Sequence, residues 1–411
     1  MTYCFAGEYR TEDSHTFTFF PDRKLTEACL RSLAEHTPQD DIQVLVMDNG
    51  STDDTSTQCA PLGTALFGSR FRHIPLGHNR NFGPACNEGA RAANADYLFF
   101  LNNDTLLTAG WLPPLLDAFA RQPDLGATGP LLLYPDDRVQ HAGVTFTPTW
   151  QVTHLYQFFP RNHPVLFKKR TVQALTGAAL MIPAGLFTSC GGFFEEYRNG
   201  YEDLDLCAQI RGKKLVLRCT PQSVVYHLTS QTPGRFDSDN HNALLLSRRC
   251  DGVFQPDQHR FGTEDGYMFH LSPTLHAILT AKSPSETVDM NSPHALWSTV
   301  NAEPLWAEGY IALFNILAEQ KKWATAFDLL QMEMRFFPQE ILLKRMAKTA
   351  TFLKNKDLIS SVQKFMQNMR EEMQSISLRK KFMMLHDWAK EHEDKYMLGA
   401  CVRWMKECPG S

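Results

Sequence analysis

Carboxylates and amides stand in three clusters whose residue types suit metal binding and acid–base chemistry. The first cluster is 48–53 (DNGSTD), the second is Asn102–Asn103–Asp104, and the third contains Glu202 and Asp203. Carboxylate and amide oxygens are the hard ligands that Mg²⁺ and Mn²⁺ prefer, and a positioned carboxylate can act as a general base. Each cluster alone is also typical of a turn or of the first turn of a helix. It is their combination in one chain that favours a functional interpretation.

The segments before the clusters predict how they are positioned. Two apolar runs, 42–47 (IQVLVM) and 97–101 (YLFFL), are typical of buried parallel strands, and each ends at a cluster. Helical periodicity at 25–33 and 87–95 and a candidate first strand at 16–20 (TFTFF) complete an alternation of strands and helices. This alternation predicts an α/β domain with a mostly parallel sheet. Ligands of such sheets gather at the carboxyl ends of the strands, where the polar clusters fall.

The last quarter of the chain differs in composition from the rest. Residues 283–300 begin with a Ser/Pro-rich aperiodic stretch, and residues 301–411 are rich in Lys, Glu, Met and Leu. We therefore predict an α/β domain at 1–282, in which residues 1–14 are an extension, a linker at 283–300 and an all-α domain at 301–411. Residues 307–339 can be aligned with a 34-residue helix-turn-helix repeat, and a plain helical bundle fits as well.

Composition and charge narrow the class of protein and of partner. The 411 residues are 43% hydrophobic and 21% charged, which is ordinary for a globular protein. Lys plus Arg is 41 and Asp plus Glu is 45, so a net charge of -4 gives no reason to expect nucleic acid. No apolar run approaches the roughly 20 residues that span a bilayer, no secretory signal is visible, and the ten cysteines form no CxxC pair. We expect a cytoplasmic protein with reduced cysteines and at most peripheral membrane contact.

The blocks that contain the clusters resemble those of a known family. In order along the chain they are QVLVMDNGSTD, GHNRNFGPACNEG, DYLFFLNNDT, TGAALMI, GGFFEEYRNGYEDLDLC and VVYHLTSQTPGR. They are similar to successive blocks of the family 2 inverting glycosyltransferases, over residues 16–249, and the last two are closest to rhamnosyltransferase-like members. The resemblance implies the GT-A nucleotide-sugar fold followed by a helical module. It also implies transfer of a sugar, with inversion, from a UDP- or dTDP-sugar to a hydroxyl of a glycan or protein acceptor.

The same resemblance implies roles for residues of the second cluster and beyond. Asp104 and His227 would hold Mn²⁺ or Mg²⁺, while Asn102 and Asn103 would lie against ribose or sugar hydroxyls. The cluster departs from the family's commoner DXD pattern because Asn102 replaces the first acid, which lowers the charge of the ligand set.

Further roles concern the nucleotide and the acceptor. Asp48 would bind the base edge or the ribose, Asn79 and Asn87 would lie beside the nucleotide, and Arg80 would reach the diphosphate or else face solvent. Asp203 would take the proton of the acceptor hydroxyl as general base, with Glu202 as its neighbour or partner and as the other candidate for that catalytic role. Arg235, in the polar stretch 229–242, would lie near the diphosphate.

Some features leave alternatives open. Pro21 stands where the family has an Asn near the nucleotide, so Asp22 or Arg23 would have to replace that contact. The competing class of protein is a catalytically inactive GT-A scaffold that acts through its helical domain, which would otherwise form a homodimer or hold the acceptor. The isolated His141, His154 and His163 are predicted to lie at the surface or on the acceptor side.

Overall fold

The computed structural model describes residues 2–7, 22–38, 42–228, 238–282 and 288–408. The chain divides into two compact units. Unit 1 comprises Met1–Thr145, His154–Gln157 and Leu166–Phe254, and unit 2 comprises Phe146–Thr153, Phe158–Val165 and Gln255–Ser411. Residues 255–282 thus lie in unit 2, whereas the composition of the chain puts a domain boundary at 282, and that boundary stays a prediction.

Strands and helices alternate through the first 250 residues, as the sequence predicts. The elements are β1 (Thr2–Gly7), α1 (Asp22–His36), β2 (Gln43–Asp48), α2 (Thr55–Phe67), β3 (Phe71–Pro75), α3 (Phe82–Ala92), β4 (Tyr97–Leu101), β5 (Thr105–Leu107), α4 (Leu112–Arg121), β6 (Leu125–Leu133), β7 (Val139–His141), β8 (Val144–Phe146), β9 (Val152–His154), β10 (Ala179–Pro183), α5 (Ala184–Ser189), α6 (Glu202–Gly212), β11 (Val216–His227) and α7 (Asp239–Arg249).

A nine-stranded sheet forms the centre of unit 1. Its order is β3-β2-β1-β4-β10-β6-β11-β5, with β7 paired to β6. The first four strands are parallel, as are β6 and β11, while β10 runs antiparallel to β4 and β6. The carboxyl ends of β2 and β4 therefore open on one edge of the sheet, where the first two polar clusters follow them.

The structure describes a strand ahead of the predicted first strand at 16–20. β1 pairs with β2 on one side and with β4 on the other, so Thr2–Gly7, within the predicted 1–14 extension, is an interior strand of the sheet. The sequence of β1, TYCFAG, is mostly apolar, as is usual for a strand in the interior of a parallel sheet. The predicted strand 16–20 and Pro21 lie outside the described residues, and nothing is described of the side chains of Asp22 and Arg23.

The other predicted elements of this region are confirmed with shifted ends. β4 coincides with the predicted strand, and α1 and β2 contain most of their predicted ranges. α3 begins five residues earlier than the predicted helix at 87–95, because Pro84 is tolerated in the first turn of a helix, where its missing N–H is not needed. Beneath the sheet a core of β2, β4, α1 and α4 side chains includes the fully buried Phe99 and Trp111.

Unit 2 is mostly helical, as predicted for the end of the chain, but it also contains a β-hairpin that the sequence did not indicate. The helices α10 and α11 form the predicted helix-turn-helix, with Leu313, Leu317 and Ala326 buried between them. Within the described ranges no helix is both long and apolar enough to cross a membrane. The elements are α8 (Gln258–Glu264), β12 (Met268–Leu271), β13 (Ala277–Thr280), α9 (Pro293–Ala302), α10 (Ala307–Glu319), α11 (Trp323–Met334), α12 (Glu340–Phe352), α13 (Lys356–Met373), α14 (Ile376–Glu391) and α15 (Lys395–Glu407).

Candidate active site

Asp48 ends β2 and is buried, with both carboxylate oxygens bonded. The backbone N–H of Ser51 donates to Oδ1 at 2.8 Å, and His73 Nε2 on the neighbouring strand β3 donates to Oδ2 at 3.3 Å. Burial acts to raise the pKa of Asp48, but the hydrogen bonds from His73 and Ser51 outweigh it, so the pKa lies below its ordinary value. The carboxylate is therefore charged and fixed in direction at the edge of the sheet.

Asn49 shapes the loop that faces Asp48. Its Oδ1 accepts the backbone N–H of Arg80 at 2.8 Å, and its Nδ2 donates to Asn79 Oδ1 at 3.1 Å and to the carbonyl of Asn81. Gly50 has φ +88, and a Cβ there would lie 2.8 Å from the backbone of His78 and Asn79, so only glycine permits this close approach. Asn79 and Arg80 are exposed on this loop, and the Arg80 guanidinium donates to the carbonyl of Leu76.

Asn87, predicted to lie beside the nucleotide, is instead used inside the protein. Its amide exchanges two hydrogen bonds with the backbone of Phe193, with Nδ2 to O at 2.8 Å and N to Oδ1 at 2.9 Å, and also donates to Glu195. Both amide hydrogens are thereby occupied. The structure gives Asn87 the role of joining α3 to the segment before α6.

Asn102 and Asn103 follow β4 and point their amides to different places. Asn103 Nδ2 donates to Thr26 on α1 at 3.0 Å. Asn102 is held by its backbone, since its N–H donates to the carbonyl of Ala178 and its carbonyl accepts from Thr105. The side-chain oxygen of Asn102 is buried and accepts no hydrogen bond from any described residue. It is thus an acceptor that a hydroxyl or a cation could satisfy.

Asp104 and His227 face each other at the end of β11. Asp104 Oδ1 and His227 Nε2 are 3.1 Å apart, and both residues are buried. His227 Nδ1 lies 2.6 Å from the side-chain oxygen of Gln140, whose amide nitrogen donates to the His227 carbonyl. Because that oxygen can only accept, Nδ1 carries a proton, which leaves Nε2 as the ring nitrogen that could bind a metal ion.

A carboxylate oxygen and an imidazole nitrogen at this distance form either an ion pair with each other or two ligands of a metal ion. Two ligands at about 2.1 Å from one octahedral ion, at right angles, are about 3.0 Å apart, which is close to the observed 3.1 Å. The residues therefore fit a divalent ion, with the Asn102 oxygen nearby in sequence. Among the described residues, no group of three or more His, Cys, Asp or Glu side chains is arranged to hold a metal alone, so the rest of the coordination shell would come from a ligand and water.

Glu202 and Asp203 open α6 but differ in their surroundings. Glu202 is 5% exposed and its Oε2 accepts the backbone N–H of Gly200 at 2.7 Å. Asp203 is partly exposed, and its Oδ2 accepts the N–H of Gly177 at 2.8 Å. The more accessible carboxylate of the pair is thus Asp203.

The three predicted clusters meet at one edge of the sheet. Gly177, which binds Asp203, is adjacent to Ala178, which binds Asn102. The N–H of Leu228 donates to the carbonyl of Asp104 at 2.8 Å. On the other side, the N–H of Phe82, which follows the Asn79–Asn81 loop, donates to Asn199 Oδ1 at 3.1 Å.

Several residues that build this site were missed in the sequence. His73, Gln140, Asn199 and Asn242 are each far in sequence from the groups they contact. Of these, only Asn199 lies in a block that resembles the family.

Asp205 and two of the three isolated histidines are buried inside the protein. Asp205 is buried and is bonded to Arg249 and to the hydroxyl of Tyr197. His141 and His163 are buried, so the surface location is wrong for these two, and the alternative location on the acceptor side stays a prediction. Burial holds the pKa of His141 well below its ordinary value, and the charges of His154 and His227 act in the same direction.

The predicted contact of Arg235 with the diphosphate lies outside the described residues.

Comparisons with known proteins place this site in context. The family model described as glycosyl transferase family 2 matches residues 18–182. The O-antigen biosynthesis protein RfbC of Myxococcus xanthus is 29% identical over 246 residues, which is 58% of this chain and 18% of that protein. The N-acetylglucosaminyl-diphospho-decaprenol L-rhamnosyltransferase of Mycobacterium tuberculosis is 29% identical over 256 residues, 56% of this chain and 78% of that protein.

The matches cover very different fractions of the relatives' own lengths. The chain spans only about a fifth of RfbC and 24% of another relative, an uncharacterized protein of Sinorhizobium fredii. Among solved structures, a mannosyltransferase from Pyrobaculum calidifontis in complex with GDP-Man and Mn²⁺ is 16% identical, with a TM-score of 0.43 over 86% of this chain and 84% of that one.

Proposed function

Because the chain contains a family 2 glycosyltransferase domain with the GT-A fold, we propose that it transfers a sugar from a UDP- or dTDP-sugar to a hydroxyl of a glycan or protein acceptor, with inversion and with Mn²⁺ or Mg²⁺. The single observation that supports this most is the Asp104–His227 pair beside Asp203. A carboxylate and an imidazole at a spacing that suits two metal ligands lie at the same sheet edge as a partly exposed carboxylate.

The donor would bind between the ends of β2 and β4. Asp48 would accept a hydrogen bond from the base or the ribose with a carboxylate that His73 and Ser51 hold in place. Asn79 and Arg80 are exposed on the loop shaped by Asn49, so they are available to the nucleotide and its phosphates. The oxygens of Asn102 and Asn103 would lie against ribose or sugar hydroxyls.

Asp104 and His227 would hold the metal through Oδ1 and Nε2. When bound, the ion would neutralise the charge that the diphosphate leaving group develops. Gln140 fixes the tautomer that makes Nε2 a ligand, as outer-shell partners of metal-binding histidines do.

Asp203 would be the general base. Inversion requires the acceptor oxygen to attack the anomeric carbon from the side opposite the leaving group, while a base removes its proton. Glu202 is the more buried of the two carboxylates, so we assign it the role of positioning the first turn of α6.

Asp203→Asn separates this proposal from its alternatives. Its amide is the same size, so binding of UDP or dTDP with Mn²⁺, measured as the rise in melting temperature, should stay unchanged. Release of nucleoside diphosphate from UDP-glucose, UDP-N-acetylglucosamine and dTDP-L-rhamnose with a panel of glycan acceptors should fall at least a hundredfold. Glu196→Gln, an exposed acid of the preceding segment, is the matched control and should keep full turnover.

Two outcomes would contradict the proposal in different ways. Retained turnover in Asp203→Asn would place the base elsewhere in the same enzyme. If no nucleotide with either metal raised the melting temperature of the wild type, the inactive scaffold would be the better description.

A further inference from the structure

The turn that precedes Glu202 and Asp203 has an unusual backbone. Asn199, Gly200 and Tyr201 have φ values of 53°, 149° and 76° in succession. Left-handed conformations are disfavoured for residues with a Cβ, and more so for a bulky aromatic such as Tyr201. Such a run persists only where the surroundings impose it, and it often marks a functional site.

Asn242 on α7 fixes the entry to this turn. It is fully buried, its Nδ2 donates to the carbonyl of Arg198 at 2.9 Å, and its Oδ1 accepts the N–H of Arg198 at 3.1 Å. One side chain thus satisfies both backbone groups of the residue immediately before the turn.

Asn199 fixes the turn from the opposite side. Its Oδ1 accepts the N–H of Phe82 at 3.1 Å, the first N–H of α3, which has no partner inside its own helix. The loop before Phe82 is the one that Asn49 shapes around Asn79 and Arg80. The turn is therefore tied directly to the loop where the donor is proposed to bind.

The helix that carries Asn242 is itself anchored to α6. Arg249 of α7 pairs with the buried Asp205 of α6, and its guanidinium also lies 3.5 Å from the ring centre of Phe194. Two attachments, at Arg198 and at Asp205, thus bracket the first turn of α6, in which Asp203 lies.

We propose that Asn242 and Asn199 are positioning residues that hold the 199–201 turn so that Asp203 is aimed at the acceptor hydroxyl. The inference rests on the proposed function, since it assigns Asp203 the role of base. Asp203 reaches Gly177 from the first turn of α6, so a relaxed turn would move its carboxylate. Asp48 and Asp104 are carried by β2 and by the end of β4, so donor and metal binding should not change.

The kinetic test uses Asn242→Ala and Asn199→Ala in the full chain. Each should lower kcat for nucleoside diphosphate release from UDP-glucose or dTDP-L-rhamnose, whichever the wild type uses, at least tenfold. In Asn242→Ala, which does not contact the donor loop, the KM for the donor and the Mn²⁺-dependent rise in melting temperature with UDP should stay within twofold. Asn199→Asp retains an acceptor for Phe82 and a tolerance for positive φ, so it should restore most of kcat. Asn240→Ala, on the exposed side of α7, is the control and should behave as wild type.

Amide hydrogen exchange provides a test that does not need turnover. The N–H of Gly177 is buried and bonded to Asp203, so it reports the position of that carboxylate. In Asn242→Ala, exchange at Gly177 and at residues 198–204 should be at least tenfold faster, while β2 and β4 stay as protected as in the wild type.

The outcomes separate the two proposals. Wild-type kcat or unchanged Gly177 exchange in Asn242→Ala would overturn the positioning role while leaving the transferase proposal intact. Parallel losses of kcat and donor affinity would also overturn it, because they indicate general loss of structure. If the wild type turned over no donor, the transferase proposal would fail, and the exchange at Gly177 alone would decide whether Asn242 places Asp203.

Discussion

Asp104 and Asp205 are both buried aspartates of unit 1, but their partners differ in kind. Asp205 is bonded to a guanidinium and a tyrosine hydroxyl, so its charge is balanced within the chain. Asp104 instead lies 3.1 Å from His227 Nε2, and a carboxylate and an imidazole are both groups that can bind a metal ion. A buried acid paired with a guanidinium is typical of a structural residue, whereas a buried acid beside an imidazole is a pairing that metal sites use.

The largest effect is expected for Asp104→Asn. Turnover of the donor should fall at least a hundredfold, about 3 kcal/mol of transition-state stabilisation, because a neutral amide is a poor ligand for the metal. The Mn²⁺-dependent rise in melting temperature with UDP should disappear. Stability without metal should not fall, since the new amide N–H can donate to His227 Nε2. An equal response to Mn²⁺ in the variant and the wild type would contradict the assignment of Asp104.

The matched substitution Asp205→Asn should give the opposite pattern. It leaves Arg249 without its carboxylate, so the free energy of unfolding should fall by about 3 kcal/mol, at the low end for buried pairs because part of the guanidinium is exposed. Urea unfolding measures this loss. The Mn²⁺ response should persist in the folded variant, and its absence would mean that the two aspartates do not have separate roles.

Glu333 of α11 extends the comparison to unit 2. It is 6% exposed, its Oε2 has no hydrogen-bond partner among the described residues, and burial raises its pKa to about 7 from 4.5, against the opposing charge of Arg345. Between these values the folded protein binds a proton that the unfolded chain has released, so stability falls as pH rises through this window. Glu333→Gln should remove this slope and add about 2 kcal/mol at pH 8, with little change at pH 4. Unfolding at the two pH values measures it, and an unchanged slope would assign the titration to another group.

The smallest effect is expected for Gln140→Leu, which acts on Asp104 only through His227. Loss of the acceptor for Nδ1–H frees the tautomer and orientation of the imidazole, so Mn²⁺ affinity should fall about tenfold. A Mn²⁺ titration with UDP present measures it. Gln151→Leu, at an exposed glutamine of unit 2, is the control and should show no change. Wild-type affinity in Gln140→Leu would mean that the His227 tautomer is set in another way.

The sequence predicts well the parts of unit 1 that depend on local patterns. Apolar runs that end in polar clusters identified β2 and β4, and the parallel pairing of these strands with β1 accounts for the common edge at which Asp48 and Asn102 lie. The partners of the site were not predictable in this way. His73 and Gln140 act across the sheet on residues 25 and 87 positions away, and no local pattern marks such contacts.

Contacts between residues distant in sequence also explain the observed environments of Asn87 and of Thr2–Gly7. Asn87 looks like a ligand-binding amide in its motif, but contacts with Phe193 and Glu195, more than a hundred residues away, use its hydrogens. Thr2–Gly7 looked like part of an extension because its neighbours β2 and β4 come much later in the chain.

The interior place of β1 also affects the order in which the sheet can assemble during synthesis. β1 is made before both of its neighbours, and β4 is completed about ninety residues after it. At about 5 to 20 residues per second, one edge of β1 waits several seconds for its partner on the ribosome. Unpaired strand edges are templates for pairing with other chains. The nascent chain is therefore exposed to aggregation until β4 has emerged, and slower elongation would lengthen that interval.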